Sequence, residues 1–148
     1  MKKLFRIQWI LHFFIGLGAI GGGMMALLNP QGPDGMPANV LDGSPFHDFL
    51  VPGIFLLVVL GLGNIFCGIM TLKKSELRSF LSGVWGVLMV LWIIIQCVIL
   101  NAIVELHVIF FVLGLVQAVL AAVTMFRLQL FPANLLIIFY RSIKQDRE

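Results

Sequence analysis

Few residues in this chain carry chemistry, and they fall into two sets. The first lies inside apolar stretches: Gln8, His12, Asn64, Gln96, Gln117 and Thr124. Polar groups in such surroundings are costly and call for partners. Gln8 and His12 are four residues apart and share a face if their segment is helical. At ~1.5 Å of rise per residue, His12 lies about 9 Å past Arg6, and Asn64 and Gln117 each lie about 15 Å before the basic residues Lys73 and Arg127. His12, Asn64 and Gln117 are therefore expected to meet in one half of a helix bundle. Two roles suit them. One is interhelical hydrogen bonding, worth roughly 0.6 kcal/mol per bond in a membrane. The other is a polar ligand-binding site, with His12 titrating near neutral pH.

The second set is His47, Asp48, Glu105 and His107, which flank the ends of apolar stretches. Two histidines and two carboxylates suit zinc or another divalent ion if the two pairs converge. Against this, Glu105 and His107 are two apart and splay on a helix. Acids at helix N-termini also have the plainer role of complementing the helix dipole. No Asp, Glu, Lys or Arg sits deep in an apolar stretch. That argues against a proton-coupled exporter built on a buried carboxylate, and against a pore with a charged filter. There is no nucleophile elbow, no glycine-rich phosphate loop after a strand and no CxxC motif. Cys67 and Cys97 are expected at different depths, too far apart for a disulfide. No enzymatic activity and no cofactor are expected.

The elements that position these residues follow from composition. Of 148 residues, 60% are hydrophobic and 11% are charged, with a mean hydropathy of +1.05. Water-soluble domains carry about 25% charged residues, and a chain this short and apolar cannot cover its surface with polar groups. The expected fold is all-α: a polytopic membrane protein, one membrane domain over residues 1–148, with spans at about 7–28, 51–72, 80–100 and 107–126. Each run of about 20 residues suffices for the ~30 Å hydrocarbon core. The first run is too long for a signal-peptide core and lacks a small-x-small cleavage site, so an uncleaved helix is expected. Small residues mark helix-packing faces: the GxxxG pair Gly18 and Gly22, with Gly16, Ala19 and Gly23 nearby, and the pair Gly114 and Ala118.

Residues 29–50 form an outer loop that, with the bend at Pro52-Gly53, holds five of the six prolines and no Lys or Arg. Asn29-Pro30 ends the first helix. Ser44-Pro45 predicts a helix start, either of a short interfacial helix over 44–51 or of a long second helix kinked at Pro52. Residues 128–148 are expected to form an interfacial helix with a basic end, broken at Pro132. With four spans, all ten basic residues fall on one side, so both termini are expected in the cytoplasm of a cell-membrane protein. The basic residues cluster at helix ends rather than on one face, which excludes nucleic acid as a partner. The expected partners are the lipid bilayer and either another membrane protein or a second copy. The expected function is a structural or assembly role. The alternatives are binding or transport of a lipid or small uncharged solute in the bundle, and a metal-dependent membrane enzyme.

Overall fold

A computed structural model of the chain describes residues 1–135 together with Ile138 and Ile143. It contains four long helices: α1 (Lys2–Leu28), α2 (Leu50–Leu72), α3 (Arg78–Leu100) and α4 (Glu105–Arg127). All four are long and apolar enough to cross a membrane, and no strand occurs among the described residues. They run up and down in a ring: α1 packs along α2 and α4, and α3 packs along α4 and α2. The core is a layer of Ile15, Ala19, Leu60, Met89, Trp92 and Ile93.

Glycines set the closeness of the two helix pairs. A Cβ on Gly23 would sit 2.7 Å from the Leu57 amide nitrogen and 2.9 Å from the Gly53 carbonyl, so α1 and α2 meet backbone to backbone. A Cβ on Gly86 would sit 2.7 Å from the Ala118 nitrogen and 2.9 Å from the Gly114 carbonyl, which holds α3 against α4 in the same way. Gly114 and Ala118 thus lie on a close-packing face. Gly18 and Gly22 do not: a Cβ there would meet only the Phe110 ring tip and a Leu56 methyl. The close face of α1 is instead the stripe of Gly16 and Gly23, because α2 presents its own Gly53 and Gly61 to that side.

Helix α2 is not α-helical throughout. Phe55–Leu62 is a π-helix, and the Gly63 N–H reaches back to the Val58 carbonyl. The sequence carries no signal for it. Two carbonyls of this region receive side-chain donors: Trp85 Nε1 donates to Val59 O at 2.8 Å, and Asn64 Nδ2 donates to Leu60 O at 2.7 Å. In apolar surroundings such donors satisfy acceptors that water cannot reach. The Trp85 bond also ties α3 to α2, and Phe55 stacks on Trp92 with centroids 4.3 Å apart. Trp85→Phe is expected to lower stability by about 1 kcal/mol, the net worth of a buried hydrogen bond. Thermal unfolding in neutral detergent checks this, with Trp92→Phe as a comparison that removes no hydrogen bond.

The segment between α1 and α2 folds over the bundle end. Leu41 and Phe49 are buried with Ala26 against Met36, Val40, Phe46, Ile99 and Leu100. Phe49 N–H donates to Pro30 O at 2.9 Å and Ala38 N–H to Gln31 O at 3.0 Å, which closes the loop base. Two short 3₁₀ turns, Pro33–Gly35 and Ala38–Leu41, lie within it. Neither predicted start at Ser44-Pro45 forms. The Ser44 hydroxyl is spent on its own turn, accepting Phe46 N–H at 3.1 Å. Helix α2 begins instead at Leu50, whose N–H donates to Asp48 Oδ1 at 2.9 Å. Pro52 then falls in the first turn, where a missing N–H leaves no bond unmade.

After α4 the chain turns back, and the Phe131 ring meets Phe80 edge-on at 5.3 Å. The interfacial helix expected over 128–148 lies largely outside the described residues.

Candidate functional site

The structure brings His12, Asn64 and Gln117 together on the bundle axis. Each is fully buried. His12 Nδ1 lies 2.9 Å from Asn64 Oδ1, and His12 Nε2 lies 2.7 Å from Ser82 Oγ. Gln117 Nε2 lies 3.1 Å from Asn64 Oδ1 and 3.4 Å from the Ser82 carbonyl. One assignment makes these bonds compatible. His12 donates from Nδ1 to Asn64 and accepts the Ser82 hydroxyl at Nε2, while Gln117, whose Nε2 also lies 3.1 Å from His12 Nδ1 without bonding to it in this assignment, spends its two amide protons on Asn64 and the Ser82 carbonyl. Every helix contributes one side chain to this node.

A second polar tier lies one turn towards the basic end. Ser79 Oγ and Thr124 Oγ1 are 2.9 Å apart, and Gln8 Nε2 reaches Thr124 Oγ1 at 3.5 Å, the outer limit of hydrogen-bond geometry. Thr71 Oγ1 donates to Cys67 O at 2.9 Å within its own helix. Gln8 Oε1 and Gln117 Oε1 have no hydrogen-bond partner among the described residues. Ser79 and Ser82 are the members that reasoning from single polar residues misses. Their signal is a stripe: Ser79, Ser82 and Gly86 recur at helical spacing and put small polar groups on the buried face of α3.

The node has the chemistry of a tie rather than a reaction centre. Apart from Gln117 Oε1 its side-chain polar atoms are paired within the bundle, it holds no charged residue, and none of its members is exposed. Space for a ligand opens instead nearer the loop end, beyond Ile15 and Leu60. A cavity of about 250 Å³ lies there between all four helices. Gly18, Gly22 and Gly53 leave room on one side, Met89, Ile93 and Phe110 face them, and Pro33, Met36 and Phe49 of the loop cover the end. Among the described residues, Gln96 and His107 are its only polar side chains. Gly18 and Gly22 therefore border a cavity and meet neighbouring helices only through the side-chain ends of Phe110 and Leu56.

The outer quartet takes up separate duties. Among the described residues, no three of His, Cys, Asp and Glu are placed to hold a metal ion. Asp48 caps α2 and receives Gln31 Nε2 at 3.4 Å. His107 is buried at the start of α4, where its Nδ1 accepts the Val104 N–H at 3.4 Å, a capping interaction. His47 and Glu105 are exposed. Asp48 and His107 each direct a polar atom at the backbone of their own helix start. Cys67 and Cys97 are free thiols.

No protein family, curated protein or solved structure matches this chain.

Proposed function

We propose that the chain is a multi-pass cell-membrane protein, with both termini in the cytoplasm, that holds an apolar ligand in the cavity beneath its outer loop. The ligand class is a lipid acyl chain or a small uncharged apolar molecule from the outer leaflet. The observation that carries this is the cavity itself. At about 250 Å³ and open on one side, it has room for more than the benzene that a ~150 Å³ apolar cavity in another protein admits. Buried water needs two to four polar partners, and Gln96 and His107 are the only polar side chains that the described residues bring to the lining. An apolar occupant suits the rest, with the two polar groups fixing one end of it.

The assembly-partner function expected from the glycine faces loses its main support. Gly16, Gly23, Gly53 and Gly61 are used between α1 and α2, and Gly86 and Gly114 between α3 and α4. Those faces are occupied by the chain's own helices.

Gly22→Leu tests the proposal. A Cβ at Gly22 meets only the end of the flexible Leu56 side chain, at 3.1 Å, and replacing a helix-interior glycine gains up to ~1 kcal/mol of helix propensity. The variant is therefore expected to fold at least as stably while filling the cavity. The measurement is extraction and mass analysis of apolar molecules that co-purify with wild type and variant, with added brominated acyl chains as a quencher of Trp92 fluorescence. Loss of the co-purifying species and of quenching in the variant supports the reading. Equal retention in both would overturn it.

A further inference from the structure

The opposite end of the bundle carries a second, unlike site. Where α1 begins, α2 ends and α3 begins, a pocket of about 400 Å³ is bordered by Lys2, Arg6, Lys74 and Arg78 and, among the described residues, by no acidic one. Trp9 and Leu72 give it an apolar side. We propose that this pocket holds the phosphate-bearing headgroup of an anionic phospholipid, with the glycerol and first methylenes against Trp9 and Leu72.

Three observations carry the inference. Four cations around one pocket repel one another unless an anion lies between them. Arg78 is held in place by its guanidinium, 4.0 Å from the Phe5 ring centroid, while its Nε is buried without a hydrogen-bond partner among the described residues. A fixed guanidinium with unspent donors matches a phosphate better than a mobile ammonium does. The third observation is Lys74 itself. Helix α2 ends in a turn in which Ser75 N–H donates to Met70 O at 3.1 Å and Lys74 N–H to Thr71 O at 3.2 Å. Lys74 takes the left-handed position of that turn, with φ of 55°. Glycine is the usual residue there because it alone avoids the Cβ strain. A lysine at that place is poor for the turn and useful for the pocket. The apolar side selects between two phosphate sources, since a lipid gains from Trp9 and Leu72 and a free phosphate does not. Basic pockets between helices on the cytoplasmic side are suited to such headgroups.

The site rests on the chain lying in a membrane but not on the outer cavity, so Gly22→Leu leaves it intact. The experiment uses the full chain in neutral detergent, titrated with phosphatidylglycerol, phosphatidylcholine or inorganic phosphate and read by native mass spectrometry. Phosphatidylglycerol is expected to bind in preference to phosphatidylcholine, and more weakly as salt rises. Lys74→Gly removes a charge and relieves the turn. It is expected to weaken phosphatidylglycerol binding about fivefold while the unfolding temperature holds or rises. Arg78→Gln is expected to weaken it further. Equal binding of the two lipids, or unchanged binding in Lys74→Gly, overturns the proposal. Inorganic phosphate that binds alone and displaces the lipid at similar concentration also overturns it, assigning the pocket to a free anion.

Discussion

Gly86→Val is expected to destabilise the fold by about 3 kcal/mol, towards the upper end of what overpacking a close contact costs. The reason is what stands opposite. A Cβ at Gly86 would lie 2.7 Å from the Ala118 nitrogen, 2.9 Å from the Gly114 carbonyl and 3.1 Å from the Ala118 Cα. All three are backbone atoms, so no rotamer change relieves the clash. The α3–α4 pair must separate, and with it the Gln117 contact to Ser82. Two glycines provide internal comparisons. A Cβ at Gly83, one turn away on α3, would meet the Ala121 Cβ at an ordinary 3.5 Å, and Gly21 has open space. Gly83→Ala and Gly21→Ala are each expected to be neutral or to gain up to ~1 kcal/mol from helix propensity. Reversible unfolding in mixed micelles, followed by circular dichroism, reads all three. A Gly86→Val protein as stable as wild type would show that the α3–α4 spacing is not set by glycine.

His12→Leu has the second largest expected effect, a loss of about 2 kcal/mol. The single change strips the Ser82 hydroxyl of its 2.7 Å partner and Asn64 Oδ1 of its 2.9 Å partner, in a place that solvent does not reach. Measured membrane hydrogen bonds average about 0.6 kcal/mol and reach about 1.7. Stranding a buried polar group adds roughly 1–3 kcal/mol. The same asymmetry predicts that removing the whole set costs little. His12→Leu, Asn64→Leu and Gln117→Leu combined, with Ser82→Ala, are expected to fall within about 1 kcal/mol of wild type, since no stranded side-chain partner remains, only the Leu60 and Ser82 carbonyls lose a donor, and the unpaired Gln117 Oε1 disappears. If the combined variant is instead less stable than His12→Leu alone, each bond is worth more than the node's stranded groups cost. Retention of the apolar ligand by the combined variant separates the node from the outer cavity.

Much of the architecture is legible without coordinates because hydropathy is a one-dimensional property. Four apolar runs, each flanked by Lys or Arg at one end, become four helices, and the helix bounds depart from those runs only at their ends, as where α1 begins at Lys2 rather than at residue 7. Depth is legible for the same reason. A helix rises by a constant ~1.5 Å per residue, so distances counted from Arg6, Lys73 and Arg127 put His12, Asn64 and Gln117 at comparable levels. The structure brings those three into contact.

What the chain order leaves undetermined is azimuth, the direction each face points once helices are arranged in a ring. A GxxxG pair signals a close contact but not which neighbour takes it. Gly18 and Gly22 look like the packing face of α1, yet Gly16 and Gly23 meet α2, and the other pair is left to border a cavity. Competition between local and distant hydrogen bonds is equally hidden: Ser44 serves its own turn and Asp48 starts the helix. The π-helical stretch of α2 receives a donor from Trp85, on the neighbouring helix. The basic pocket likewise exists only where three helix ends from distant parts of the chain come together. Composition and spacing determined the class of the fold and the level of each polar residue. Only the packing of helix against helix decided which of those residues meet, because contact depends on rotation about each helix axis, and that is set by neighbours rather than by sequence position.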